Sequence, residues 1–160
     1  MQNFAEDFKV AVILGQQTVT SVAATDVINM SEYDKVTFII TTGTVGTGTG
    51  LSFRQMDAVG DSVATESRVA IDYYWEADWG AGSDTYTKNS ADTLSSYGGI
   101  TIANGDDSAI FITEIRGSQL TDGNNCVACY VDSSAASLAI QIEAICHPRY
   151  KSQSPPSALA

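Results

Sequence analysis

From Ser137 to Tyr150 the chain reads Ser-Leu-Ala-Ile-Gln-Ile-Glu-Ala-Ile-Cys-His-Pro-Arg-Tyr, an alternating strand stopped by a proline. Leu138, Ile140, Ile142, Ala144 and Cys146 line one side of such a strand, with Gln141 and Glu143 on the other. A chain closing on its most regular strand is expected to dock that strand into a sheet. No window of about twelve residues sustains a helical period. Shorter alternating or β-branched runs precede it at Val10–Leu14, Thr18–Val22, Asp26–Ile28, Lys35–Thr42, Leu51–Asp57, Arg68–Glu76, Thr85–Lys88, Gly99–Ala103, Ala109–Arg116 and Cys126–Val131. Between them lie turn-forming stretches: Thr42 to Gly50, Gly80 to Ser83, Asn104-Gly105-Asp106, Asp122-Gly123-Asn124 and Asp132 to Ala136. The reading is all-β: one jelly-roll-like β-sandwich with extended N- and C-terminal arms.

At 160 residues the chain fits one domain and buries about 70% of its unfolded surface, enough for a core without staples. Residues 1–150 are assigned to the sandwich with its short N-terminal arm. Residues 151–160, containing Pro155-Pro156, are assigned to an extended arm. The balance of 19 acidic to 8 basic residues, a net charge of −11, opposes nucleic acid and anionic membranes. It reads as a solvated, self-repelling surface. Met1 to Asp7 lacks the basic start of a signal peptide, and Val10 to Leu14 is too short for an export core or a membrane span. Synthesis in a cytosol is expected, and three cysteines, an odd number, fit a reducing compartment.

The chemistry-bearing motifs are weak. The Gly/Thr segment 42–50 lacks a phosphate loop's Gly-Lys-Ser/Thr ending and precedes a strand, so it reads as a hairpin loop. Cys126, Cys129, Cys146 and His147 have zinc-ligand chemistry, but residues three apart or adjacent on a strand point to opposite faces. Buried apolar thiols are the reading, with no metal and no cofactor. His147 is the only histidine, sits at a strand end before Pro148, and has no Gly-x-Ser-x-Gly elbow to serve. Pairs such as Asp57 with Asp61, or Asp106 with Asp107, are expected by chance in an acidic chain. Asn104 to Asp107 lacks the spaced ligands of a dedicated calcium loop. No enzyme is expected.

Tyr73-Tyr74-Trp75-Glu76-Ala77-Asp78-Trp79 is the strongest binding signal. Three readings stand: Tyr73 and Trp75 fill the sandwich core, the segment is a protein interface, or its aromatics and carboxylates form a glycan platform.

The chain resembles small virion proteins of tailed phages that act as head decoration or auxiliary proteins. The residues carrying the resemblance are Phe4-Ala-Glu-Asp-Phe8-Lys-Val, Val27-Ile-Asn-Met-Ser-Glu-Tyr33-Asp-Lys-Val36, the Gly/Thr loop 42–50, Leu51-Ser-Phe-Arg-Gln55-Met-Asp57 and Pro148-Arg149-Tyr150. It spans most of residues 1–150 and leaves out the Tyr73–Trp79 cluster and Cys126/Cys129. It implies a non-enzymatic protein of the virion surface that binds the major capsid protein and assembles with itself, as a trimer by preference. Tail or baseplate attachment is the rival use of the same fold. The expected partner contacts are Phe4, Phe8, Tyr74, Trp79, Arg149, Tyr150, Pro155 and Pro156, with the segments Met1–Val10 and His147–Ala160 as clamps.

Overall fold

The computed structural model describes residues 4–91, 99–131, 137–150 and 159. These form an all-β sandwich of two antiparallel sheets. The strands are β1 (Lys9–Val19), β2 (Ala23–Ala24), β3 (Ile28–Asn29), β4 (Tyr33–Val45), β5 (Thr49–Met56), β6 (Ser67–Val69), β7 (Tyr73–Asp78), β8 (Thr87–Ser90), β9 (Ile100–Ile102), β10 (Ala109–Arg116), β11 (Cys126–Val131) and β12 (Leu138–Pro148). One helical turn, α1 (Phe4–Asp7), precedes them. The first sheet runs β1-β12-β4-β10-β7-β8. The second runs β2-β11-β5-β6, with β3 beside β2 on β11 and β9 beside β6 on β5.

Strict alternation places the core between the sheets. Val36, Phe38 and Ile40 of β4 point inward, as do Phe111 and Ile115 of β10 and Leu138 to Cys146 of β12 at every second position. Leu51, Phe53, Val127, Cys129 and Val131 join the same cluster from the second sheet. The Phe38 and Phe53 rings meet across the layers with centroids 4.9 Å apart. The C-terminal strand is docked centrally, between β1 and β4.

Four local expectations differ from the outcome. Val10–Leu14 and Thr18–Val22 fuse into β1, which absorbs its polar Gln16-Gln17 through register shifts between Val12, Leu14 and Gln17. The Gly/Thr loop narrows, because β4 continues to Val45 and β5 begins at Thr49. Thr42 is buried there, accepting the Ala109 N–H at 3.0 Å and donating to the Asp106 carbonyl at 2.6 Å. The expected strand Arg68–Glu76 is two strands in different sheets, with the crossing at Ala70 to Asp72. The extended N-terminal arm is instead α1 followed at once by β1. Of the C-terminal arm, only Leu159 is described; it forms an antiparallel bridge with Ile28 and packs against the core.

The sheet crossing at residue 71 has the largest consequence. Val69 and Ile71 are buried, so one unbroken strand would turn Tyr73 and Trp75 inward as well. The crossing shifts the parity by one residue. Tyr74 goes inward against Phe111, and Tyr73 and Trp75 go outward. Buried Thr113 secures this register by donating to the Tyr73 carbonyl at 3.0 Å.

Phe38→Ala should cost about 3–5 kcal/mol, because it opens a cavity between the sheets. Thr47→Ala, at an exposed turn position, should stay within about 0.5 kcal/mol of the parent. Urea unfolding of both variants checks the contrast.

Candidate interaction face

The register sets which outward residues meet. One row crosses the whole first sheet: Val12, Glu143, Ile39, Ile112, Trp75 and Lys88. On one side of it lie Val10, Ile145, Thr37 and Glu114. On the other lie Gln141, Thr41, Ile110 and Ala77. Ile39, Ile110, Ile112 and Ile145 are half-buried among their neighbours on the open side of this sheet. Val10 (47%), Val12 (51%), Tyr73 (41%) and Trp75 (40%) are exposed on its flanks. Antiparallel sheets with one solvated face ordinarily carry polar residues there. An apolar band running over five strands, from Val12 on β1 to Trp75 on β7, departs from that rule.

The second sheet differs. On its outer side Met56, Cys126 and Ala128 are buried beneath Val63, with Val27, Val59 and Tyr130 packed around them. Its own loop covers it, whereas the first sheet presents its band outward.

A polar network bounds the band at one end. Lys35 pairs with Glu114 at 2.7 Å, and Thr37 donates to the same carboxylate at 3.2 Å. The Thr37 hydroxyl also lies 3.0 Å from His147 Nε2, and the Phe8 ring meets the His147 ring edge-on at 4.8 Å. Burial alone would raise the Glu114 pKa, but the hydrogen bond and charge of Lys35, helped by Thr37, outweigh it and hold the carboxyl below its usual range. Burial, then the Lys35 charge, push the His147 pKa down. On the β8 flank the Lys88 ammonium sits 3.8 Å from the Tyr73 ring centroid and 6.0 Å from that of Trp75. A cleft of about 340 Å³ opens beside Tyr73, lined by Asp72, Glu114, Arg116, Ser118 and Gln119.

The residues expected to contact partners do not converge. Phe4, Phe8, Arg149 and Tyr150 gather at the end of the sandwich where β12 leaves β4, with Tyr150 80% exposed. Arg149 is anchored there, its N–H donating to the Glu32 carbonyl and its Nε to the Tyr33 carbonyl. Trp79 is exposed at the opposite end, just beyond the Asp78–Ala109 pair. The length of β10, about 27 Å, separates the two groups. Tyr74 is corrected outright: it is core, not surface. The reading of Tyr73 and Trp75 as core is likewise overturned by the parity shift. Pro155 and Pro156 lie outside the described residues. The clamp segments shrink too, since Lys9 and Val10 belong to β1, and His147 and Pro148 to β12.

The cysteines obey strand geometry. Cys129 and Cys146 lie in the inter-sheet core, and Cys126 lies on the other side of β11. Burial pushes the Cys146 thiol up to about 12. His147 faces away from all three. Asp106 and Asp107 secure turns, accepting the N–H groups of Ala103 and Val45. Burial, with neighbouring carboxylates adding to it, raises the pKa of both Glu76 and Asp106; hydrogen bonds from Asn89 and Ala103 oppose the shift.

Part of this band is legible in the sequence, where Ile110 and Ile112 share one strand face with Glu114, opposite Phe111 and Ile115. Val36-Thr37-Phe38-Ile39-Ile40 and Ile110-Phe111-Ile112 carry apolar residues on both parities, as strands do when both faces are covered.

No protein-family model and no curated protein matches the chain. Among solved structures it is similar to an SPBc2 prophage-derived protein, YomS. The identity is 11%, over 88% of this chain and 92% of that one, at a TM-score of 0.44. It is also similar to a structure of infectious bursal disease virus, Gt strain. There the identity is 9%, over 91% of this chain and 42% of that one, at a TM-score of 0.23. Likeness at these levels carries no argument about what the chain does.

His147 provides a check on the polar network. Its neutral ring is favoured in the folded chain, so its contribution to stability is complete above pH 6.5 and is lost as pH falls through the depressed folded value. Proton NMR of this sole histidine should give a midpoint below 6.5. His147→Gln should remove the matching part of the pH dependence in urea unfolding. A midpoint above 6.5 would mean that Glu114 governs the ring instead of burial and Lys35.

Proposed function

We propose that the chain is a non-enzymatic structural protein of a tailed-phage particle, a decoration protein that binds the outside of the major capsid shell and stabilises it. The observation that carries this reading is the outward apolar band of Ile39, Ile110, Ile112 and Ile145 flanked by Tyr73 and Trp75. Such a surface serves protein contact, and aromatic anchors beside aliphatic residues are what protein interfaces concentrate. The resemblance over residues 1–150 supplies the particle. We also read the sandwich as a jelly roll. Strands β1-β12-β4-β10 face β2/β3-β11-β5-β9, with β6 to β8 inserted, and the chain changes sheets at eight of the eleven connections between these strands.

In this reading the capsid is met by the end bearing Phe4, Phe8, Arg149 and Tyr150. Each contact that spans two capsid subunits must break before the shell opens, so binding shifts the balance toward the closed shell. The role needs no cofactor, nucleic acid or membrane, and is exercised at the virion surface after synthesis in the host cytoplasm. A glycan-binding reading draws on the cleft at Tyr73, where Asp72, Glu114, Arg116 and Gln119 surround an aromatic ring.

Quantitative mass spectrometry of purified particles tests the proposal. A ratio to the major capsid protein near one is expected for a shell-covering protein. A few per cent moves the chain to the tail or baseplate. Absence from particles overturns the virion reading and leaves glycan binding, read out by a fluorescence shift of Trp75, to be tried.

A further inference from the structure

The central row of the apolar face has a symmetry of its own. In the order β12, β4, β10, β7, β8 it reads Glu143, Ile39, Ile112, Trp75, Lys88. Ile112 is the midpoint. Glu143 and Lys88 lie two strands away on either side, each about 9.6 Å from the centre at about 4.8 Å per strand. Opposite charges at equal distances from an apolar centre make the row complementary to itself when reversed.

We propose that this face is the contact surface between two copies of the chain, packed face to face about a two-fold axis that runs along β10 at Ile112. Rotation about that axis sets Ile112 on Ile112 of the second copy. Ile39 falls on Trp75 of the second copy, and Glu143 on its Lys88, with both pairings made twice. The Val10 and Val12 flank of each copy then borders the β8 edge of the other.

Charge and area both favour a second copy as the occupant. Two chains of net charge −11 repel each other over most of their surfaces. In the four rows from Lys35 to Thr41, however, Lys35, Lys88 and Arg116 stand against only Glu114 and Glu143. The acidic excess is absent from this face, and Lys35, paired with Glu114 at 2.7 Å, offsets the meeting of the two Glu114 carboxylates across the axis. The five strands that overlap about this axis, β12 to β8, at about 4.8 Å each and up to about 27 Å of strand length, give a footprint of up to roughly 650 Å². Specific interfaces take upwards of about 600 Å² from each partner. Two antiparallel sheets meeting face to face is also how this chain builds its own interior.

The inference rests on reading the face as a protein contact, not on the particle assignment. A monomer in solution that is abundant in particles overturns the pairing alone. A dimer absent from particles overturns the particle role alone.

The test is sedimentation velocity on the full chain at about 100 µM, roughly a hundredfold above a micromolar Kd. The expected species is a dimer of the 16.9 kDa chain. Ile112→Asp should leave the monomer. Glu143→Lys and Lys88→Glu should each weaken the dimer by roughly tenfold or more, since like charges then face each other. The double reversal should restore it. That rescue keeps the test decisive even if Ile112→Asp fails to fold. A monomeric parent, a trimer indifferent to all four variants, or a double variant weaker than either single one would overturn the pairing.

Discussion

The ladder between β4 and β12 is the interaction on which the rest of the molecule depends. It runs from Val45 opposite Leu138 to Tyr33 opposite Pro148, joining segments a hundred residues apart in sequence. Because side chains alternate, this one register decides both surfaces of the first sheet. Phe38, Ile40, Ile142 and Ala144 are sent into the core; Ile39, Ile145 and Glu143 are sent out. A slip of one residue would exchange them. The interior and the candidate interface are therefore set by a single register.

Where a strand stays within one sheet between turn-forming stretches, the fold was legible in the amino-acid sequence. Ala109–Arg116 and Cys126–Val131 are strands over those very residues, and β12 runs one residue past its expected end. Legibility fails where the chain changes sheets. Val69, Ile71, Tyr73 and Trp75 share one parity, and nothing local in Ala70-Ile71-Asp72 marks a crossing. The crossing is imposed by tertiary pairing, Val69 opposite Phe53 and Trp75 opposite Ile112. Hence the aromatic cluster was visible from composition, but the faces its members occupy were not. The isoleucine band was legible only in part, for a related reason. Outward Ile39 and Ile112 are seven decades of sequence apart, and only the sheet order makes them neighbours.

Electrostatics separates the face from the rest of the surface. The chain carries 19 acidic residues, and several stand in turns, where Asp106 and Asp107 hold backbone N–H groups. Lys35 and Lys88 are kept on the outer side of the first sheet, one paired with Glu114 and the other lying over Tyr73. A surface that is apolar in its middle, balanced in charge and bordered by aromatics fits docking better than substrate turnover.

The central claim is that the outer face of the first sheet is covered by protein when the chain is at work. Hydroxyl-radical footprinting at rising protein concentration tests it most directly. The account predicts that labelling of Tyr73, Trp75, Val10 and Val12 falls as the chain associates, while Trp79, at the far end of β7, stays reactive. Labelling of Tyr73 and Trp75 that is unchanged at every concentration, and unchanged again on purified particles, would contradict it.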